Sequence, residues 1–258
     1  MPAVRVGGDM TWACVLQHIE CEPPGLFCGV LQQHGIAIET VELDEGGPLP
    51  DWREPDLVIA MGGPMGVNDE SEHGWLADEK QWIAQAVRSG VPFFGVCLGA
   101  QLLAASLGAE VRTGEVPEVG VLPVTLTADG RADPVFSVLG TEFPALQWHA
   151  DTFGIPAGGI RLATSTAYPN QAFRFGEVAY AVQFHVEVTE AMLAEWREVP
   201  AYQRSAATVL GRSGFEILAT GFAAARPAMA RSASLMFTGW LDQAARMRER
   251  GPRGLRPK

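Results

Sequence analysis

The sequence predicts an α/β fold, doubly wound around a mostly parallel sheet, with an added mixed β half and C-terminal helices. Three observations carry that prediction. Apolar runs of strand length alternate with stretches of helical spacing from Trp12 to Leu107, the pattern of parallel strands joined by crossover helices. Glycines stand where two of those helices should stop, at Gly35 and Gly90. The chain of 258 residues is 47% apolar and 19% charged, enough to bury a large core without disulfides.

The elements follow in chain order. Residues 12–18 read as a strand, 25–34 as a helix, 36–43 as a second strand, and 56–61 as a third that ends at Gly62-Gly63-Pro64. Residues 75–89 carry Trp75, Leu76, Trp82, Ile83, Ala86 and Val87 at helical spacing. A short apolar strand over 91–97 then runs straight into a helix over 98–107. Beyond Ala109 the pattern changes to short β-type runs at 119–127, 145–149 and 178–184, so this half should be mixed or antiparallel. Thr189 can cap a helix holding Met192, Leu193 and Trp196, which Pro200 interrupts. Two Ala-rich helices are expected over 204–220 and 227–247, with Pro227 in the first turn of the latter.

Composition excludes several classes of function. The formal charge of −11 argues against a nucleic-acid groove, which rests on clustered Lys and Arg. The exception is the end of the chain, where Arg246, Arg248, Arg250, Arg253, Arg256 and Lys258 face Glu249 alone; a basic run with Gly251, Pro252, Gly254 and Pro257 reads as a flexible tail. No apolar run reaches the roughly 18 residues of a membrane span. Four cysteines are too few for a disulfide scaffold and the start of the chain lacks a secretory pattern, so a reducing, cytoplasmic setting is expected. Cys14, Cys21 and Cys28 span a strand, a turn and a helix rather than one ligand loop, so neither a metal nor another cofactor is expected.

The chemistry concentrates in three short segments. Gly95-Val96-Cys97-Leu98-Gly99 is a G-x-C-x-G at a strand-to-helix junction, the cysteine counterpart of a nucleophile elbow, and chance supplies only roughly 0.05 such motifs in a chain of this composition. So tight a turn leaves no room for side chains two positions either side of the nucleophile. It also sets the sulfur above a helix start, whose free amides favour negative charge. Among five histidines, His185 ends a strand and is followed at i+2 by Glu187. On extended backbone the two share a side, so Glu187 can fix the imidazole while its other nitrogen faces Cys97. The glycine turn at Gly62 and Gly63 can aim the Gly63 N–H into the same site, where with the Leu98 N–H it would form an oxyanion hole.

In that order, Gly62-Gly63-Pro64, Gly95-Val96-Cys97-Leu98-Gly99-Ala100-Gln101 and His185-Val186-Glu187 resemble the class I (Cys-His-Glu triad) glutamine amidotransferase family, and within it the stand-alone branch similar to the glutaminase of GMP synthase. The resemblance covers about residues 10–195. It implies a flavodoxin-like core in the class I glutamine amidotransferase fold, organised as an amidotransferase domain over 1–195, a helical extension over 196–250 and the basic tail over 251–258. It further implies that Gly62 and Gln101 contact bound glutamine, that Glu118, Val119 and Gly120 lie on the stretch pairing with its backbone end, and that His149 lines the site. Val186 stands where many members have proline, which removes stiffness but no functional group.

The activity expected is hydrolysis of the L-glutamine side-chain amide through a thioester on Cys97, with the ammonia passed to a partner synthetase. Two alternatives differ in kind. A γ-glutamyl peptidase or hydrolase would use the same residues on larger γ-glutamyl compounds, and a non-catalytic binding module would keep only the fold. The C-terminal helices could serve as a docking face, a homodimer interface or a cover for the sheet. Neither nucleic acid nor membrane is expected as a partner.

Overall fold

Four-residue strands buried at every position, such as Leu57–Ala60 and Ala179–Val182, can exist only where both faces of a sheet are covered. The computed structural model, which describes residues 10–250, shows such a sheet. Its first half runs β1 (Trp12–Gln17), α1 (Leu26–Gln33), β2 (Ala37–Glu42), β3 (Leu57–Ala60), α2 (Trp75–Arg88), β4 (Phe93–Val96) and α3 (Leu98–Ser106). Next come β5 (Val111–Leu126), the short α4 (Ala128–Ala132), β6 (Glu142–Phe153), β7 (Gly159–Thr164), β8 (Ala172–Phe175) and β9 (Ala179–Val182). Helices α5 (Glu190–Trp196), α6 (Pro200–Leu210) and α7 (Gly214–Glu249) complete the described chain. The tail expected over 251–258 lies outside the described residues.

All nine strands form one sheet in the order β2-β1-β3-β4-β9-β8-β7-β5-β6. The first five are parallel, in the doubly wound order 2-1-3-4-5 with β9 in fifth place, and the remaining four extend the sheet antiparallel. Alternation along the strands divides the core. Val15, Ile59, Phe94 and Val96 face α1 and the second half of α7, whereas Leu16, Val58, Ala60 and Phe93 face α2 and α3. On the first face Phe237 of α7 stacks on Phe27 of α1 at 4.2 Å and meets Phe94 edge-on at 5.5 Å, each buried ring being worth about 2–3 kcal/mol.

Three expectations change. The run at 119–127 belongs to a 16-residue strand, β5, that starts at Val111; Gly114 and Pro117 fall where the pairing with β6 shifts register between Thr113 and Glu118, so the strand continues through a bulge. Strands β7 and β8 come in addition to the expected runs. Pro227 does not open a helix but lies inside the 36-residue α7. Thr189 caps α5 as expected, its hydroxyl accepting from Met192 N at 3.2 Å. Among the described residues no helix is long and apolar enough to cross a membrane.

Candidate active site

The C-terminal ends of three adjacent parallel strands, β3, β4 and β9, supply the site. Register aligns Ala60 with Gly95 and Val96 with Val182, so the segments that follow, 61–64, 97–101 and 183–187, emerge side by side at one edge. The Cys97 N–H donates to Val182 O at 2.8 Å, which ties the turn after β4 to the end of β9.

Cys97 has φ of 52°, the only positive value on a non-glycine residue in the described chain. That strained backbone at the first step of α3 marks a tight elbow. The flanking glycines are steric requirements: a Cβ on Gly95 would stand 2.5 Å from Gly99 O, and one on Gly99 would stand 2.1 Å from Ala60 O. Both neighbours are backbone, so neither can give way.

Around the sulfur the groups are buried and polar. Gln183 Nε2 lies 3.6 Å from Cys97 Sγ, Trp148 O lies at 4.0 Å, and Gln101 Nε2 donates to Gln183 Oε1 at 3.1 Å. His185 Nδ1 donates to Glu187 Oε1 at 2.7 Å, and the Val186 N–H donates to Glu187 Oε2 at 3.0 Å. Burial opposes protonation of His185, but the Glu187 carboxylate and the hydrogen bond with Cys97 outweigh it and hold its pKa well above the ordinary 6.5. The ring is thus poised between a carboxylate and a sulfur. The segment is not regular strand; an isolated bridge between His185 and Leu146 of β6 holds it, and the i+2 pairing with Glu187 survives.

The glycine turn after β3 reaches the same place. Gly62 packs so closely that a Cβ there would lie 2.0 Å from Glu22 Oε2 and 3.3 Å from His185 Cε1. A Cβ on Gly63 would lie 3.2 Å from Leu98 Cδ2. Among the described residues, the N–H groups of Gly63 and Leu98 donate to no protein acceptor.

Cys97, His185, Glu187, Gly62, Gly63, Leu98 and Gln101 are therefore brought together. Val119 and Gly120 lie on β5, paired with Trp148 and Gln147 of β6, the strand whose Trp148 O faces the Cys97 sulfur. His149 has both ring nitrogens engaged by the protein, Nδ1 on Asp151 O at 2.8 Å and Nε2 on Glu118 Oε2 at 3.1 Å. That leaves no imidazole nitrogen for a ligand.

Sequence reading missed five side chains here. Gln183 sits beside Cys97 because β9 follows β4 in the sheet, although its place two residues before His185 offered a signal. Glu22 is buried against Gly62 and receives the Tyr202 hydroxyl from α6; burial pushes its pKa up. Trp196 of α5 meets His185 edge-on at 5.3 Å and donates its indole N–H to Cys21 O. His18 and Glu79 form a wholly buried pair behind Gly62. Among the described residues no group of three or more His, Cys, Asp or Glu could hold a metal ion.

Comparisons with known proteins agree on a family. Residues 28–193 match the family model described as glutamine amidotransferase class-I. The Salmonella typhimurium glutamine amidotransferase-like protein YfeJ is 31% identical over 176 residues, 67% of this chain and 74% of the relative. One subunit of the glutamine-hydrolyzing GMP synthase of Sulfolobus acidocaldarius is 32% identical over 156 residues, 59% of this chain and 78% of that one. A glutamine amidotransferase from Thermotoga maritima, known as a crystal structure, superposes with a TM-score of 0.76 at 27% identity, covering 94% of this chain and 99% of its own.

Proposed function

This chain belongs to the class I glutamine amidotransferase family, and from that premise we propose that it hydrolyses the side-chain amide of L-glutamine through a thioester on Cys97. The observation that carries the reading is the convergence of Cys97, His185 and Glu187 with two unpartnered amides at the edge of three neighbouring strands.

The steps follow from the geometry. The Cys97 thiolate adds to the carboxamide carbon, and the carbonyl π pair moves onto oxygen, where the N–H groups of Gly63 and Leu98 receive it. His185, protonated between Glu187 and Cys97, gives its proton to the departing nitrogen as the C–N bond breaks; ammonia leaves and the thioester remains. Water then adds to the thioester, His185 takes one of its protons, and breaking the C–S bond frees glutamate and the thiolate. Gln183 donates to the sulfur from the side, and Gln101 holds Gln183.

Cys97 is only 7% exposed, walled by Trp148 O and Gln183, which favours glutamine over longer γ-glutamyl compounds. The similarity to one component of a GMP synthase supports delivery of the ammonia to a partner synthetase. Glutamate release from L-glutamine, a γ-glutamyl dipeptide and glutathione tests the reading, with Cys97→Ala as the blank. Turnover of glutamine that disappears in Cys97→Ala is expected. Preference for the two larger substrates would replace the reading with a γ-glutamyl hydrolase, and glutamate release unchanged in Cys97→Ala would overturn it.

A further inference from the structure

We propose that the buried His18–Glu79 pair is a positioning device for the oxyanion hole, orienting the Gly62–Gly63 peptide so that the Gly63 amide faces the reacting carbonyl. The inference rests on the amide-hydrolysis reading and assigns it two residues from β1's end and α2.

His18 Nδ1 lies 3.1 Å from Gly62 O, and Nε2 lies 2.9 Å from Glu79 Oε1. Gly62 O can only accept, so Nδ1 donates to it; with Glu79 ionised, Nε2 donates as well and the ring is an imidazolium. Both side chains are 0% exposed. Burial opposes this charge; Glu79, joined by the Gly62 carbonyl and Glu22, more than offsets it. Trp75 stacks on the ring at 5.5 Å with 19° between the planes, which fixes the direction of its two N–H bonds.

The consequence reaches the site through one peptide plane. In a trans peptide the carbonyl and the N–H point in opposite directions, and the described chain has no cis bond. Pinning Gly62 O to His18 therefore turns Gly63 N–H away from His18. With glycine on both sides of the bond, no side chain resists a flip of that peptide. A hydrogen bond from a cation also polarises the Gly62 carbonyl, and with it the N–H across the same amide.

A buried ion pair kept only for stability is replaceable. Apolar residues of similar volume usually fold as well or better, so stability alone does not account for an imidazolium at this position. That gives a clean test. In His18→Leu/Glu79→Met the donor to Gly62 is lost without stranding a charge; His18→Asn/Glu79→Gln keeps an amide N–H able to reach Gly62 O. Both are compared with the wild type by kcat and KM for glutamate release, by thermal melting, and by the rate at which iodoacetamide alkylates Cys97. Alkylation displaces iodide from carbon and forms no oxyanion, so it reads the nucleophile alone.

The apolar pair is expected to lose about 10²-fold in kcat, the scale of one oxyanion donor, with KM and alkylation within about twofold of wild type. The amide pair is expected to recover about tenfold of that loss. Wild-type kcat in the apolar pair, or alkylation that falls in step with kcat, overturns the proposal. If the apolar pair does not fold, Glu79→Gln decides: a kcat several-fold lower at unchanged KM supports the device, and an unchanged kcat overturns it. Wild-type protein that turns over none of the three substrates would remove the hydrolysis reading and this inference with it, whereas wild-type turnover that the variants leave intact removes this inference alone.

Discussion

Glu187 accepts two hydrogen bonds with its two oxygens, from His185 Nδ1 and from the Val186 N–H. Glutamine at this position has one acceptor and one donor, so Glu187→Gln must set an NH2 group against one of those two N–H groups. Either the imidazole flips its tautomer or the contact breaks. By the same logic as the orienting aspartate of serine proteases, kcat is expected to fall about 10²–10³-fold, with the melting temperature little changed. Steady-state kinetics across pH checks this; a variant within about threefold of wild type would show that Glu187 does not set the tautomer. Cys97 was legible from its spacing, because the glycines two positions either side of it are steric necessities; His185 and Glu187 share a side at i+2 on extended backbone, but it was their order after the Gly62 and Cys97 motifs, and the family resemblance that order carries, that singled them out. Gln183 offered only its place two residues before His185, and His18 offered no signal at all. Each meets the site across a strand pairing or a glycine turn, and no local pattern distinguishes a buried histidine gripping Gly62 O from one filling core.

At the scale of an element, the instructive case is α7. Proline favours the first turn of a helix, so Pro227 read as a start, but the buried stripe of Phe215, Leu218, Phe222, Met229, Ala233, Met236 and Trp240 keeps its three- and four-residue rhythm on both sides of it. Tertiary burial of that stripe outweighs the missing N–H. Pro227 itself is exposed, so replacing it removes no core packing. Pro227→Ala should restore a hydrogen bond to Ala223 O and stabilise the protein by about 1–3 kcal/mol, read as a higher denaturant midpoint at constant m. A midpoint that stays or falls would mean that α7 needs the break in its hydrogen-bond ladder at Pro227 to lie on both the aromatic cluster over His185 and the face holding Phe27 and Phe94. Strand β5 teaches the converse. The sequence showed only its second half, 119–127, because Gly114 and Pro117 lie in the bulge that joins it to the first half, and only the partner strand shows that a bulge is there.

The whole molecule shows why the doubly wound half was legible and the placement of its fifth strand was not. Local alternation of strands and helices predicts the first four strands, whereas β9 joins them only after the chain has built β5 to β8, and its pairing with β4 is what carries His185 to Cys97. That closure leaves several buried ionisable groups whose combined titration sets the response to pH. His18 and His185 have pKa values raised above 6.5, and Glu22, by burial, above 4.5, so each binds its proton more firmly folded than unfolded. A raised pKa stabilises fully below the unfolded value and ceases to do so as pH climbs through the folded one. All three therefore act in one direction, and stability should decline as pH rises from 6.5 toward 9.0. Above 9.0 the buried thiols of Cys14 and Cys21, pushed up by burial to about 12, add to the decline, because the unfolded chain releases those protons first. At the acid end Asp56 acts oppositely: Thr11 and Arg248 hold its pKa below 3.8 against burial, so its contribution is lost as pH falls through that lowered value. The melting temperature at fixed ionic strength is thus expected to peak in mildly acidic buffer and fall steadily to pH 9.0. A flat or rising melting temperature between pH 6.5 and 9.0 would mean that His18 and His185 are not cations in the folded protein, and with that the proton His185 must give to the leaving nitrogen would have to come from elsewhere.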